Sequence, residues 1–234
     1  MENLIISPDI VVYGAGAIGA SICGWLTPSY KNVYLLARGQ NAQAIKSGGL
    51  IMYQGSLDNR QVIKVNVIED LSERPDAKLV IITVKNYNLE EVAKDIRTKL
   101  GDKPLIFALQ NGVENQVILP KYFPKVVYGV IMISAWRDEP GVFGYVVKGY
   151  ITCGTLDNTL QEEMKNIKDW FSGSLKIRIS QNIQDAIHTK MVFNLSNSIL
   201  TLINKIDLSD ESLFRFGQIY FKTLSEGIRV VNQI

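Results

Sequence analysis

The sequence predicts an α/β fold built on a mostly parallel, doubly wound sheet, followed by an all-α C-terminal segment. Three observations lead there. Short, wholly apolar runs recur and stop at glycine or turn residues, as strands buried on both faces do. Segments of helical length stand between them, which makes successive strands parallel with crossover helices. After Ser180 the apolar residues recur at helical spacing instead. The arrangement is that of a Rossmann-type sheet carrying additional antiparallel strands, with a helical domain behind it.

The first run, Asp9-Ile-Val-Val-Tyr13, stops at Gly14. Ala15 to Leu26 follows as an apolar helix, and Val33 to Leu36 as a second buried strand. Leu79 to Val84 is the third strand and Leu105 to Leu109 the fourth. Between those two, Leu89, Val92, Ala93, Ile96 and Leu100 mark one helix face, and Gly101 ends it. The stretch from Val126 to Gly154 is rich in Val, Ile, Tyr and Gly. Its turn signals at Glu139-Pro140-Gly141 and Lys148-Gly149 divide it into further strands, partly antiparallel. Leu160 to Phe171 reads as an amphipathic helix and Leu175 to Ile179 as a last short strand. Ile183 to Ile203 and Phe214 to Val231 are the expected C-terminal helices. A boundary near residue 180 separates a domain over 1–179 from a helical domain over 180–234 for substrate binding or dimerisation.

Composition excludes several classes of function. The formal net charge is +2 with the signs mixed along the chain. No basic block follows the spacing of a phosphate backbone, so nucleic acid is not an expected partner. Met1 to Ile6 carries Glu2 and no basic residue, and the apolar run after it is short. Neither a secretion signal nor a membrane span is expected. Cys23 and Cys153 lack a CxxC spacing and read as reduced thiols of a cytoplasmic protein. With a single histidine and no cysteine cluster, no metal site is expected.

The chemistry is concentrated in four places. Gly14-Ala15-Gly16-Ala17-Ile18-Gly19 follows a strand and opens a helix. Gly14 permits the tight turn, Gly16 lets backbone approach a pyrophosphate, and Gly19 lets helix and strand pack closely. The diphosphate of a dinucleotide would then sit on free N–H groups at the helix start. Arg38 stands after the second strand, where an NAD site carries a carboxylate for the ribose 2′-hydroxyl. A cation there attracts a 2′-phosphate, so the expected cofactor is NADP(H). Taken singly, the glycines also suit an ordinary turn and Arg38 a solvated loop.

The third place is the pair of strand ends at Thr83-Val84-Lys85-Asn86 and Leu109-Gln110-Asn111-Gly112. Lys85 would bring positive charge near cofactor or substrate, and Asn111 a hydrogen bond to ribose or substrate. The fourth is the helix around Lys190. Lys190, Asn194 and Asn197 share one face at i, i+4 and i+7, with Ser198 beside them. Apolar Met191, Val192, Phe193 and Leu195 flank that stripe. An ammonium there could stabilise the oxygen of a ketone receiving a hydride and give it a proton. A solvated polar face on an amphipathic helix is the other reading of the same stripe.

In combination, Gly14-x-Gly16-x-x-Gly19, Arg38, Thr83-Val84-Lys85, Gln110-Asn111-Gly112-Val113 and Lys190-x-x-x-Asn194 resemble the ketopantoate reductase (2-dehydropantoate 2-reductase) family, in order along nearly the whole chain. The resemblance implies NADPH-dependent reduction of 2-dehydropantoate to (R)-pantoate. It implies Lys190 as the catalytic lysine, Asn111 as an asparagine at cofactor and substrate, and Lys85 as a lysine near both. Asn194, Asn197, Ser198 and Glu226 are then on the substrate side. The family's longer helical domain carries a further serine and acidic residue, so the helical domain here is expected to be incomplete. A helical piece this short leaves apolar surface that a homodimer would cover. Two other functions remain open on the same residues: a non-catalytic NADPH-binding sensor or scaffold, and a related NADP-dependent hydroxy-acid dehydrogenase.

Overall fold

Ile10–Tyr13 forms strand β1, and all four of its residues are buried. With apolar side chains on both faces, such a strand is stable only inside a covered parallel sheet. In the computed structural model, which describes residues 8–202 and 210–233, the other apolar runs join it. They are β2 (Val33–Leu36), β6 (Leu79–Ile82), β7 (Leu105–Ala108) and β8 (Val126–Ile131). Further strands are β3 (Leu50–Gln54), β4 (Gln61–Ile63), β5 (Asn66–Ile68), β9 (Ser134–Glu139), β10 (Val142–Val147), β11 (Tyr150–Gly154) and β12 (Lys176–Ile179). The helices are α1 (Ala17–Leu26), α2 (Gly39–Gly48), α3 (Leu89–Leu100), α4 (Glu114–Ile118), α5 (Gln161–Trp170), α6 (Ile183–Leu202) and α7 (Asp210–Val231). The expected Ile203 lies outside the described residues.

The main sheet has eight strands in the order β12-β11-β8-β7-β6-β1-β2-β5. From β5 to β8 every pair is parallel. β11 then runs antiparallel to β8, and β12 parallel to β11. The chain moves outward from β1 through β2 to β5, then returns to lay β6 on the other side of β1. That reversal opens a crevice at the C-terminal ends of β1 and β6, the place where such sheets bind ligands.

Residues 39–68, where the sequence pattern predicted no elements, supply α2 and three strands. Their patterns are faint: α2 buries only Asn41, Ala42 and Ile45, and β4 and β5 are three residues each. Two of these strands build a second sheet, β4-β3-β10-β9, in which β3 and β10 are parallel partners distant in sequence. This sheet covers the outer side of α1. Gly24 of α1 is the contact point, since a β-carbon there would lie 2.3 Å from Met52 Sδ. Trp25 meets the Tyr145 ring edge-on at 5.2 Å. Lying between two sheets, α1 is buried from Gly19 to Leu26, which explains why its sequence carries no charge.

Strand β6 stops two residues short of the predicted Val84. The backbone N–H of Thr83 still reaches the Tyr13 carbonyl, 3.1 Å away, but the next residues turn outward. The described chain divides into two compact units between Ile183 and Gln184. In the second unit α6 and α7 approach each other at Gly227, where a β-carbon would stand 3.0 Å from Leu195 Cδ1. No helix among the described residues is long and apolar enough to cross a membrane.

Candidate functional site: the dinucleotide groove and the lysine helix

The groove is built around the turn after β1. Gly14 adopts φ +113°, a backbone conformation that glycine takes without strain. The Thr83 hydroxyl, 2.9 Å from the Gly14 carbonyl, donates to it and braces the turn against β6. A β-carbon at Gly19 would lie 1.9 Å from that same carbonyl oxygen, so α1 can pack this close only without a side chain. Gly16 is the opposite case. It is exposed, and nothing lies within 4 Å of where its β-carbon would be. It leaves space for a ligand to lie against backbone. Gly16 also precedes the first turn of α1, which has no capping side chain and no acidic residue. The N–H groups there are free to receive an anion.

Above this turn lies a groove of about 620 Å³, within the usual range of cofactor sites. Gly14, Ala15, Gly16 and Arg38 line it, together with Asn41 and Asp95. Ala17, Ile18 and Gly19 lie behind as the first turn of α1. Arg38 stands at the N-cap of α2 with an exposed side chain. A second helix start therefore sits next to the guanidinium, and both favour an anion. These residues fit a dinucleotide: backbone for its diphosphate, and positive charge beyond it.

Three groove residues were not expected from sequence. Asn41 donates from Nδ2 to the Ala15 carbonyl at 2.7 Å and accepts from the Gly141 N–H at 2.8 Å. It ties the glycine turn to the second sheet. Tyr13, almost fully buried, donates its hydroxyl to Asp95 Oδ2 at 2.7 Å. Arg38 Nη2 lies 3.3 Å from the Tyr13 hydroxyl oxygen and 3.8 Å from Asp95 Oδ2. Burial, and then the hydrogen bond to Asp95, push the Tyr13 hydroxyl well above the usual tyrosine range, so it remains a donor. The one sequence sign of Asp95 was its i, i+4 spacing to Lys99. Lys99 Nζ holds Asp95 Oδ1 at 2.7 Å.

The ends of β6 and β7 carry the next candidates. Lys85 and Asn111 are both exposed, and neither lines the groove. Asn86 Nδ2 donates to the Asn111 carbonyl at 2.9 Å and joins the two strand ends. Gly112, at φ +89°, turns the chain there. Behind Asn111, Gln110 donates to the Ile82 carbonyl at 3.1 Å, which anchors the loop to β6.

The remaining candidates belong to the second unit. Lys190 and Asn194 are half-buried on α6, and Asn197 and Ser198 are exposed. The flanking apolar residues enclose this stripe less than the sequence suggested: Val192 is buried, but Phe193 and Leu195 are about half exposed. The Ser198 hydroxyl donates back to the Asn194 carbonyl at 3.0 Å. Glu226 is exposed on α7. His188 is hydrogen-bonded to Gln184, one turn earlier, at 2.6 Å. Among the described residues no group of three His, Cys, Asp or Glu side chains could hold a metal ion.

Compared with known proteins, residues 10–158, well over half of the chain, match the model of the ketopantoate reductases PanE/ApbA. The chain belongs to the ketopantoate reductase family. The matched span carries the glycine turn, Arg38, Lys85 and Asn111. The 2-dehydropantoate 2-reductase of Archaeoglobus fulgidus is 29% identical over 198 residues, which are 84% of this chain and 64% of the relative. The chain thus spans just under two thirds of that relative's length. The PanE/ApbA family ketopantoate reductase of Ralstonia eutropha JMP134 shares the fold at TM-score 0.78 and 24% identity, over 96% of this chain and 74% of its own. D-mandelate dehydrogenase, solved with NADH and anilino(oxo)acetate, aligns at TM-score 0.72 and 26% identity, over 80% of this chain and 62% of its own. The ketopantoate reductase fold thus also serves a hydroxy-acid dehydrogenase that takes NADH.

Proposed function

We propose that this member of the ketopantoate reductase family binds NADP(H) and reduces the ketone of a small 2-oxo acid. The first candidate substrate is 2-dehydropantoate, giving (R)-pantoate. The observation that carries the reading is the family match across residues 10–158, which coincides with a groove whose glycine turn and Arg38 suit a phosphorylated dinucleotide. When bound, the nicotinamide supplies the hydride.

In this reading the chain's own residues have separate tasks. Gly16 and the first turn of α1 receive the diphosphate, and Arg38 faces the 2′-phosphate. Lys85 and Asn111, at the next strand ends, orient the reacting end of the cofactor and the substrate. Lys190 stabilises the charge that develops on the carbonyl oxygen as the carbon gains hydride, then gives that oxygen a proton to complete the alcohol. Asn194, Asn197, Ser198 and Glu226 hold the polar groups of the substrate.

The test is to follow nicotinamide absorbance with NADPH and 2-dehydropantoate, with Lys190→Ala in parallel. Oxidation by the parent and a rate about 10²–10⁴ lower in the variant support the reading. NADPH binding without oxidation of any 2-oxo acid points instead to a sensor or scaffold. The likeness to D-mandelate dehydrogenase favours one further reading, a hydroxy-acid dehydrogenase. An aromatic 2-oxo acid turned over faster than 2-dehydropantoate would select it. The free, buried Cys23 and Cys153 fit a reducing compartment such as the cytoplasm. Exposed Phe214 and Phe221 on α7 fit a homodimer, which light scattering would test.

A further inference from the structure

Arg38 and Asp95 meet at the outer end of the groove on unequal terms. Asp95 is fixed: its Oδ2 accepts from Tyr13 at 2.7 Å and its Oδ1 lies 2.7 Å from Lys99 Nζ. Only about a fifth of its side chain is exposed, against more than half of the Arg38 side chain. Arg38 is the movable partner, held by contacts of 3.3 and 3.8 Å, both at the long end for their type. Lys94 and Arg137 also line the groove, but Lys94 pairs with Glu90 at 3.6 Å.

We propose that Asp95 is a cofactor-selectivity residue that weakens the discrimination of this site between NADPH and NADH. A carboxylate beside Arg38 satisfies part of the charge that a 2′-phosphate would use. It also repels that phosphate directly, through a partly desolvated space where charges several ångströms apart still act on each other. NADH brings no charge to this corner, and its 2′-hydroxyl can donate to a carboxylate. Asp95 therefore acts against NADPH alone, or in favour of NADH, and either effect draws the two affinities together. The carboxylate is in place because it serves the buried Tyr13 hydroxyl and Lys99. The pair thus makes the site tolerant of both cofactors. The inference rests on the NADP(H) reading of the groove.

The experiment titrates NADPH and NADH against the full chain by nicotinamide fluorescence, comparing the parent with Asp95→Asn and Asp95→Ser. Asparagine keeps an acceptor for Tyr13, and Lys99 retains Asp70 at 2.6 Å, so the fold should hold. Serine removes the same charge without adding an amide. Both variants should raise the ratio of the NADH to the NADPH dissociation constant by about three- to tenfold, and the rise should shrink in high salt. A ratio that stays constant or falls in both variants, with their melting temperatures near that of the parent, overturns the proposal. A parent that binds neither nucleotide overturns the dinucleotide reading itself, a result distinct from loss of selectivity alone.

Discussion

Gly19 lies so close against Gly14 that a β-carbon on it would stand 1.9 Å from the Gly14 carbonyl oxygen, yet Gly16 between them has open space on that side. The two glycines therefore fail in different ways when replaced. Gly19→Ala drives a methyl into backbone that cannot yield and should cost about 1–3 kcal/mol of stability, read as a lower urea midpoint. Gly16→Ala should leave the midpoint unchanged and weaken NADPH in fluorescence titration, because its methyl occupies the ligand's space. Equal loss of stability in both variants would contradict this division.

Asn41 is the only residue described that joins the glycine turn to the Glu139–Gly141 turn through its side chain. Asn41→Ala leaves the buried Gly141 N–H without its acceptor, at a cost of about 1–3 kcal/mol. Asn41→Asp keeps that acceptor but loses the donor to Ala15 and places a negative charge beside the diphosphate position. It should therefore fold better than the alanine variant and still bind NADPH poorly. Denaturant melts and nucleotide titration, run on both variants, separate the two effects.

Asp70 links stability to acid pH. Hydrogen bonds from Lys99 first, and then from Ser72, hold its carboxyl well below the usual carboxylate range. A carboxyl with a depressed folded value stabilises the fold above its unfolded value, near 4, and that contribution is lost as pH falls further. Lys99 is shifted upward, chiefly by Asp70 and then Asp95, so its contribution persists until pH rises past the usual lysine range. Melting temperature should therefore decline below about pH 4 in the parent. Asp70→Asn should be less stable near neutrality and show a shallower acid decline.

Cys23 and Cys153 have no exposed surface, and burial pushes both thiols up to about 12. Thiolate is the reactive form. A disulfide-exchange reagent at neutral pH should label neither in the folded protein and both after denaturation. Rapid labelling of either in the native state would show that α1 or β11 opens locally.

The long, uniform signals were the legible ones. The strand pattern of Ile10–Tyr13 and the helix stripe of Leu89–Leu100 were readable because each buries every residue its period demands. The second sheet was not, since β4 is three residues long and β3 finds its parallel partner only at Val142. One sign of it was present in α1, a helix apolar on all sides that needs cover on both. In the site, the glycines and Arg38 were readable from position alone. Tyr13, Asn41 and Asp95 were not, because each acts through a partner far away in sequence, from 82 residues for Tyr13 and Asp95 to 100 for Asn41 and Gly141.

The parallel pairing of β3 with β10 has a consequence for how the chain is made. During synthesis β1, α1 and β2 emerge early, and β3 soon reaches α1 at Gly24, but the cover over Trp25 is incomplete until residues 142–147 have left the ribosome. Contacts of such separation in sequence form late, because a large loop must close before they contribute. A nascent chain halted before Val142 would present a half-covered apolar helix and the unpaired edge of β3, a combination prone to association with other chains. Completion of the nucleotide groove and burial of this early helix thus wait on the same late segment.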